Sequence, residues 1–303
     1  MDDKYISAYE YEKNVNPNLR PISFYELNAD ECQHKINFID FSKDFHHFNH
    51  MSTTPNLLAS FIRLFSVEDS FNSNEYPKEF NATSHLFYVL QGKATFYMDG
   101  DVVKEVNKGG IFICPCFESL TIKNSEKNEL QIYYVNDSPL LNYLGSKAEK
   151  KIFEPAIFTE KFLLENLEHL SNPFNNRKGI LLSNKDTEKL GVNTITPTLW
   201  ALYNELPPNT VQKPHKHNSV ALDLCIGCED SENVYTLIGE ELDQAGNIIN
   251  PKKIHWKRGS MFITPPGLWH SHNNTGNNYA YVLPIQDAGL LLYQRILGIV
   301  LTK

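Results

Sequence analysis

The sequence predicts a mostly β protein that contains two copies of one β-barrel or β-sandwich. Its 303 residues are enough for about two domains of roughly 150 residues each. Short runs of β-branched and aromatic residues alternate with Gly, Asp and Asn turn signals through residues 57–135 and again through 197–303. Corresponding segments lie about 145 to 150 residues apart, and internal duplication is the simplest explanation of such a repeat.

Residues 1–55 are mixed and polar, and we expect them to form a helical or irregular N-terminal arm that packs against the barrels. The arm contains the segment Phe45-His46-His47-Phe48-Asn49-His50. The spacing of its three histidines fits neither one face of a helix nor one face of a strand. We therefore expect no metal site in this arm.

Residues 56–150 are predicted to form the first barrel. Asp99-Gly100 lies between two β-like runs, which is a strong signal for a tight hairpin. The runs predicted to be strands are Leu57 to Phe65, Phe87 to Leu90, Ala94 to Met98, Ile111 to Cys114 and Leu130 to Val135.

Residues 151–196 are predicted to be a linker with one or two helices, since apolar residues recur at helical spacing from Lys161 to Leu170. Residues 197–303 are predicted to form the second barrel. Its run Leu199 to Tyr203 corresponds to the run that begins at Leu57, and a similar apolar segment follows the last predicted strand of each half.

Composition and charge narrow the class of protein. Lys and Arg number 28 and Asp and Glu 36, so the formal net charge is −8. This charge, without any run of four basic residues, disfavours nucleic acid and anionic membranes as partners. No stretch approaches the roughly 18 apolar residues of a membrane helix, and the start lacks the pattern of a secretory signal. Five cysteines are too few for a disulfide scaffold, so we expect a cytoplasmic protein.

Three histidines of the second half are the strongest candidates for chemistry. His215 and His217 are two residues apart, so on a strand both rings leave the same face. His270 lies on a later predicted strand and could meet them inside one barrel. Three neutral imidazoles suit a borderline divalent ion such as Fe, Mn, Ni, Cu or Zn.

These residues resemble the two sequence motifs of the cupin superfamily. The second motif is Gly, five residues, Pro, one residue, Gly, two residues, His, three residues and Asn. Its fixed positions are filled here by Gly259, Pro265, Gly267, His270 and Asn274. The resemblance implies double-stranded β-helix barrels of the jelly-roll type.

The first cupin motif contains a His-x-His pair followed by a Glu. His215 and His217 match the pair, but Ala221 and Leu222 occupy the usual offsets of the Glu. The nearest carboxylate is Asp223, one step further along the chain, which is a candidate catalytic residue or a local hydrogen-bonding group.

The chain is more closely similar to the bicupin ring-cleaving dioxygenases of the gentisate 1,2-dioxygenase and 1-hydroxy-2-naphthoate dioxygenase group. Pro197-Thr198-Leu199-Trp200 leads to the histidine pair at the right distance, and the segment that begins Trp269-His270-Ser271-His272-Asn273 is similar to that group's Trp-His-x-His-x-Asn sequence. That group uses three histidines without the Glu, which agrees with the missing carboxylate. The resemblance implies Fe(II), an O₂-dependent reaction and association into homo-oligomers, either dimers or tetramers.

In that group the N-terminal barrel normally holds the catalytic iron, and this sequence departs from the pattern. The motif histidines of the first barrel fall at Glu79, Asn81 and Leu120, while Asn124 keeps the last motif position. His85 is nearby but out of register. The first barrel is therefore expected to be structural, with the metal in the second.

Four further residues could complete the site. His272 lies two residues after His270, so it could be a hydrogen-bond donor behind the ligands, a substrate contact, a fourth ligand or a structural residue. Trp200, Tyr203 and Trp269 could line an aromatic pocket for a ring substrate or belong to the core.

The sequence thus predicts a metal-dependent dioxygenase that acts on a hydroxylated aromatic acid or a similar chelating small molecule. A substrate with adjacent oxygen donors and O₂ would share the ion. Two alternatives stay open, namely a cupin that binds a small ligand without turnover and a cupin isomerase or non-aromatic dioxygenase.

Overall fold

The structure is a computed structural model that describes residues 6–15, 19, 21–45, 50–170 and 177–302. Its helices are α1 (Tyr11–Asn14), α2 (Ser138–Leu144), α3 (Glu160–Glu168), α4 (Lys185–Lys189) and α5 (Ala288–Tyr293). The strands before residue 150 are β1 (Glu26–Asn28), β2 (Ile36–Ile39), β3 (Leu58–Leu64), β4 (Ser70–Asn72), β5 (His85–Gln91), β6 (Lys93–Met98), β7 (Asp101–Asn107), β8 (Ile111–Cys114), β9 (Leu120–Asn124) and β10 (Leu130–Asn136). The later strands are β11 (Ala156–Phe158), β12 (Lys178–Leu182), β13 (Trp200–Leu206), β14 (Thr210–Val211), β15 (His215–His217), β16 (Ala221–Gly227), β17 (Val234–Gly239), β18 (Lys252–His255), β19 (Ser260–Thr264), β20 (Trp269–Asn274), β21 (Ala280–Gln286) and β22 (Ile299–Leu301).

The strands form two antiparallel barrels, each made of two sheets. In the first barrel a sheet of order β11-β8-β5-β10-β3-β2 faces the sheet β4-β9-β6-β7. In the second barrel a sheet of order β1-β19-β16-β21-β13-β12 faces the sheet β18-β17-β20-β15-β22, with β14 beside β20. The predicted mostly β fold with a duplicated barrel is therefore confirmed.

The two barrels exchange short strands. β1 precedes the first barrel in sequence but pairs with β19 of the second barrel. In the same way, β11 precedes the second barrel but pairs with β8 of the first. β2 and β12 extend the sheet of their own barrel through β3 and β13. Residues 1–55 and 151–196 thus contribute corresponding strands to both barrels, and the domain boundaries at 55, 150 and 196 stay a prediction.

The N-terminal arm differs from the expected helical arm. Its described residues form one α-helix, the four-residue α1, two short 3₁₀ helices (Ala29–Glu31 and Ser42–Phe45) and the paired strands β1 and β2. A three-residue strand carries too little periodicity to be read from sequence. His46 and His47 lie outside the described residues. The helix predicted from Lys161 to Leu170 is confirmed as α3, capped at its start by the Thr159 hydroxyl.

Three apolar cores stabilise the part of the chain that the structure describes. The largest lies between the sheet that contains β5 and the sheet that contains β16, and it joins the barrels, with Leu86, Tyr133, Leu222 and Ile263 among its buried members. One further core fills each barrel. Two buried carboxylates also form hydrogen bonds that connect the two halves of the chain. Asp137 accepts a hydrogen bond from the Thr198 hydroxyl at 2.9 Å, and Asp287 accepts one from the Asn56 amide at 2.8 Å.

The predicted hairpin at Asp99-Gly100 joins β6 to β7. Both residues have positive φ, at 55° and 92°, as the mirror-image turns of tight hairpins require. Among the described helices, none is both long enough and apolar enough to cross a membrane.

Candidate metal centre in the second barrel

Three imidazoles converge inside the second barrel from two adjacent strands. His215 of β15 pairs directly with His270 of β20, and His217 lies on the same face of β15 two residues later. The ring centroids are 4.1 Å apart for His215 and His270, 4.8 Å for His217 and His270, and 5.8 Å for His215 and His217. One nitrogen of each ring lies within 4.8 Å of the others.

Backbone carbonyls orient two of these rings. Nδ1 of His217 lies 2.9 Å from the carbonyl oxygen of Ser219, and Nδ1 of His270 lies 3.1 Å from that of Leu268. A carbonyl can only accept, so Nδ1 carries the proton in both rings and Nε2 is left with a free lone pair. Nδ1 of His215 is buried without a hydrogen-bond partner among the described residues.

Burial lowers the pKa of all three imidazoles, strongly for His215 and His270. They are therefore neutral at pH 7, which is the form that binds a metal. At a metal–nitrogen distance of about 2.1 Å, neighbouring ligands lie about 3 Å apart, so the side chains must close by up to about 2 Å. Among the described residues these three form the one cluster of potential metal-ligating groups. The donor set fits a transition metal.

A chain of hydrogen bonds ends on a fourth imidazole, that of the buried His272. The indole Nε1 of Trp256 donates to the Thr236 hydroxyl at 2.8 Å, and that hydroxyl lies 2.8 Å from Nδ1 of His272. The hydroxyl oxygen accepts the indole proton, and in the tautomer of His272 with an unprotonated Nδ1 the hydroxyl donates its own proton to that nitrogen. The remaining nitrogen of His272, Nε2, then carries the ring proton and acts as a donor.

Asp223 also points into the barrel but stands outside the cluster. It is 2% exposed and accepts a 2.6 Å hydrogen bond from the Thr264 hydroxyl. Burial raises the pKa of its carboxyl to about 7. The group can therefore hold or release a proton near neutral pH.

The three aromatic candidates face different ways. Tyr203 belongs to the core between the barrels, and Trp200, three residues earlier on β13, points to the opposite face and into the barrel. The indole nitrogen of Trp200 is buried without a partner among the described residues. Trp269 alternates with His270, so its ring lies outside the barrel, where the Lys216 ammonium stands 4.7 Å from its centroid. The structure thus brings Trp200, but neither Tyr203 nor Trp269, to the barrel interior.

Arg177 is a charged residue near the site that the sequence analysis missed. One of its terminal nitrogens, Nη2, donates to the backbone carbonyl of Lys213, and its Nε is buried without a partner. Its positive charge contributes to the lowered pKa of His215 and His272. No sequence pattern marks it, because folding brings it from the linker. Trp256 and Thr236 were missed for a related reason, since their contact depends on the register of β17.

The first barrel has no such cluster within its described residues. Leu120 is buried in the apolar core of that barrel, and the Asn81 side chain bonds to the backbone of Ser146 and Ala148 instead. The carbonyl of Glu79 accepts a hydrogen bond from Asn136. His85 is buried among aromatic rings, with its Nδ1 2.7 Å from the Tyr134 hydroxyl.

Comparison with known proteins gives one relative in sequence. No protein-family model matches the chain. Over 104 residues the chain is 27% identical to a gentisate 1,2-dioxygenase from a Ralstonia species, and the match covers 34% of this chain and 22% of that protein. The aligned segment therefore spans about a fifth of the length of the curated relative.

Solved structures match over nearly the whole chain. Salicylate 1,2-dioxygenase from Pseudaminobacter salicylatoxidans aligns with 97% of this chain and 94% of its own, at a TM-score of 0.70 and 10% identity. A variant of that enzyme in complex with gentisate gives a TM-score of 0.72, at 10% identity over 97% and 91% of the two chains. An oxalate decarboxylase aligns with 86% of this chain and 76% of its own, at a TM-score of 0.52 and 11% identity. The resemblance drawn from the sequence motifs is confirmed at the level of the fold.

Proposed function

We propose that this chain, which shares the fold of the salicylate and gentisate dioxygenases, is a metal-dependent ring-cleaving dioxygenase. The proposed substrate is a hydroxylated aromatic acid or a similar chelating small molecule, and the proposed metal is Fe(II). The observation that carries the proposal is the cluster of three imidazoles, with His215 half-buried and the other two buried, whose ligating atoms lie within 4.8 Å of one another. The likeness to dioxygenases in sequence and in fold supports the reaction class.

His215, His217 and His270 are the proposed ligands. When bound, the ion would supply the redox and Lewis-acid chemistry that substrate and O₂ require. The carbonyls of Ser219 and Leu268 hold the rings of His217 and His270 so that Nε2 of each can bind. Mn, Ni, Cu and Zn also suit three imidazoles, and the likeness to ring-cleaving dioxygenases favours iron.

The remaining residues would bind and orient the substrate. His272 would donate its Nε2 proton to a substrate oxygen that gains negative charge. Asp223, with a pKa of about 7, would accept or return a proton deeper in the barrel. The indole of Trp200 would contact the ring and give its unpartnered N–H to a substrate oxygen.

Metal analysis and oxygen uptake test the proposal. We expect the wild-type protein to hold about one equivalent of iron after anaerobic loading, and His215→Ala or His270→Ala to lose it together with oxygen uptake on hydroxylated benzoates. Glu79→Ala, at the corresponding position of the first barrel, is the matched control and keeps both.

Three outcomes would contradict the proposal. Full iron content in both histidine variants would remove the three-histidine site. Tight metal binding without oxygen uptake on any hydroxylated aromatic acid would favour a cupin that binds a ligand without turnover. Turnover of a sugar or a β-diketone, in place of a hydroxylated aromatic acid, would favour the isomerase or non-aromatic dioxygenase alternative.

We also propose that the protein is a homo-oligomer, as a dimer or tetramer. The C-terminal strand β22 is an edge strand with three exposed apolar residues, Ile299, Val300 and Leu301, and Tyr293 and Ile296 are exposed just before it. Exposed apolar residues grouped on an unpaired edge suit contact with another chain. A light-scattering mass near 34.8 kDa would contradict this proposal.

A further inference from the structure

The strand that carries His215 and His217 is paired along its whole length with the C-terminal segment, residues 296–302. This strand, β15, lies between β20 and β22. Toward β20, His215 pairs with His270, and the His217 carbonyl accepts a hydrogen bond from the Gly267 amide at 2.7 Å. Toward β22 every residue of β15 is paired: His215 with Leu301, Lys216 with Val300 and His217 with Ile299. The backbone of both histidines is therefore held on one side by the C-terminal segment.

Further hydrogen bonds join the C-terminal segment to the chain at both ends of β15. Before β15, the carbonyl of Pro214 accepts bonds from the Thr302 hydroxyl at 2.7 Å and from the Thr302 N–H at 3.2 Å. After β15, the Asn218 side-chain amide donates to the Ile296 carbonyl, and the Asn218 side-chain oxygen accepts from the Gly298 N–H, each at 2.8 Å. The Asn218 N–H also donates to the Gly298 carbonyl at 3.1 Å. The segment thus holds the histidine strand from Pro214 to Asn218.

The first barrel has an asparagine with the same two side-chain bonds, but it has no strand like β22. The Asn81 amide donates to the Ser146 carbonyl at 2.8 Å, and its oxygen accepts from the Ala148 N–H at 3.0 Å. Both partners lie just after α2, as Ile296 and Gly298 lie just after α5. Among the described residues, no strand of the first barrel pairs beside Asn81. The asparagine therefore belongs to the frame that both barrels share, whereas the added strand occurs only beside the histidine cluster.

His215 depends on this backbone support more than His217 does. Nδ1 of His217 lies 2.9 Å from the Ser219 carbonyl, whereas Nδ1 of His215 is buried without a partner among the described residues. The position of the His215 ring is therefore set by the backbone of β15 and by packing, and Leu301 pairs directly with it. Groups that orient metal ligands from outside the ligand set typically change metal affinity by about 10- to 100-fold.

We infer that the C-terminal segment, through β22 and Asn218, positions His215 and His217 for metal binding, with Asn218 as a positioning residue. The inference rests on the proposed function for the presence of a metal, and it adds the element that controls metal affinity. Loss of the Asn218 side-chain bonds would loosen the segment, so that β15 moves more freely against β20 and the imidazoles converge less well. Loss of the same bonds at Asn81 would leave the histidines where they are.

Cobalt(II) binding to the metal-free protein tests the inference, since Co(II) suits the same imidazole ligands and its visible absorption reports coordination geometry. We expect Asn218→Ala to bind Co(II) about tenfold more weakly than the wild type and to change the spectrum. Asn218→Asp keeps the acceptor for the Gly298 N–H but loses the donor to Ile296, so its affinity should lie between the two.

Asn81→Ala is the matched control, because it removes the same two bonds in the first barrel. It should lower the free energy of unfolding about as much as Asn218→Ala does, yet leave Co(II) affinity within about twofold and the spectrum unchanged, because the two sites are independent. A role of Asn218 in stability alone would give the two variants the same unfolding loss and the same metal affinity.

Hydrogen exchange of the metal-free proteins measures the positioning directly. Residues 214–218 should exchange faster in Asn218→Ala than in the wild type and at the wild-type rate in Asn81→Ala. Wild-type Co(II) affinity and spectrum in Asn218→Ala, or unchanged exchange of residues 214–218, would overturn the inference. Failure of the wild type to bind either Co(II) or iron would instead overturn the proposed function, and the exchange rates would then still decide whether the segment holds β15.

Discussion

The two barrels share one frame but differ in what fills them. Their six-stranded sheets have the same strand order once the exchanged strands are matched. Among the described residues, 17 buried apolar residues form one core inside the first barrel, against nine in the second. The first interior is aromatic, with Phe71, Phe80, Phe87, Phe96, Phe112 and Tyr134. The second contains buried polar side chains, namely His217, Asp223, Thr236, Thr264, His270 and His272.

Strand pairing matches these positions one by one. Phe87 pairs with Phe112 in the first barrel as Asp223 pairs with Phe262 in the second. Phe96 pairs with Ile122 as Thr236 pairs with His272. The polar groups of the second barrel and their apolar counterparts in the first are Asp223 and Phe87, Thr236 and Phe96, His270 and Leu120, and His272 and Ile122. The fold thus tolerates either filling, and only the polar one can bind a ligand through hydrogen bonds or metal ligation.

Asparagine at the end of the second motif is common to both barrels because it is structural. The amide of Asn124 donates to the carbonyls of Leu64 and Asn128. The amide of Asn274 makes the corresponding bonds to Leu206 and Asn278. A first barrel without motif histidines therefore still keeps this residue, since the turn after β9 needs it.

His85 is a buried polar residue inside the otherwise aromatic first barrel. His85 occupies the position that matches Ala221, because both pair with the last residue of the neighbouring strand, Cys114 or Thr264. Burial lowers the pKa of His85 to about 3, and its ring lies 4.5 Å from that of Phe117. Among the described residues, His85 belongs to no group of three or more potential metal-ligating side chains.

The largest expected difference between the barrels is in how stability depends on pH, because Asp223 titrates and its counterpart Phe87 does not. The carboxyl of Asp223 has a pKa of about 7 in the folded protein, against about 3.9 in an unfolded chain. The folded state therefore holds the proton more tightly, so this contribution to stability is complete below pH 4 and declines as pH rises to 7. Between pH 5 and 8 the wild type should lose about 2–3 kcal/mol more unfolding free energy than Asp223→Asn.

Chemical denaturation of metal-free protein at the two pH values measures this effect. Phe87→Leu is the matched control in the first barrel, because it alters packing without a titrating group. It should lower stability equally at both pH values. An Asp223→Asn variant with the same pH dependence as the wild type would show that another group is responsible.

The sequence was sufficient to predict the frame and the histidine cluster. Alternation of side chains along a strand places His215 and His217 on one face, and the motif spacing brings His270 to them. The runs at Ile111 and Met261 repeat closely enough to reveal the duplication. These features are local or periodic, so a single sequence contains them.

Features that depend on register or on distant contacts could not be predicted. Tyr203 and Trp269 were both candidates for the pocket, yet strand alternation turns each away from it once the register is fixed. Thr236 meets His272 only because β17 pairs with β20. Arg177 reaches the site through the folded path of the linker. The exchange of β1 and β11 involves three-residue strands, which are too short to show a pattern.

A second expected difference is in the stability lost when either of two matching carboxylates is removed. Asp137 and Asp287 each lie just before the helix that follows their barrel. Asp137 accepts bonds from the backbone and hydroxyl of Thr83, the backbone of Ser84 and the Thr198 hydroxyl. Asp287 accepts bonds from Asn56 and from the backbone of Val220. Asp137→Ala should therefore cost about 3 kcal/mol of unfolding free energy and Asp287→Ala about 1.5 kcal/mol.

Thermal and chemical unfolding of the two variants would measure which of them loses more unfolding free energy. Asp243→Ala is the matched control, since the Asp243 carboxylate also accepts backbone bonds, from Ala245 and Asn247, but in an exposed turn. It should cost less than either buried variant. Equal losses for Asp137→Ala and Asp287→Ala would mean that burial, and not the number of bonds, decides the cost.

The smallest expected effect is the loss of activity when the hydroxyl of Thr236, which its counterpart Phe96 lacks, is removed. Thr236→Val keeps the shape of the side chain but removes the hydroxyl that joins Trp256 to His272. Because the His272 ring then loses the partner that fixes its proton, kcat should fall about tenfold while iron content stays near wild type. Thr236→Ser should restore most of kcat, since it returns the hydroxyl.

Thr95→Val, whose hydroxyl bonds to Ser125 in the first barrel, is the control and should leave kcat unchanged. Steady-state oxygen uptake and elemental analysis of the same samples decide between a positioning role and a structural one. A loss of iron in Thr236→Val would make His272 part of the metal site, because only a ligand would connect the hydroxyl to metal affinity. An unchanged kcat would mean that the hydrogen-bond chain serves packing alone, and the polar interior of the second barrel would then extend no further than its three proposed ligands.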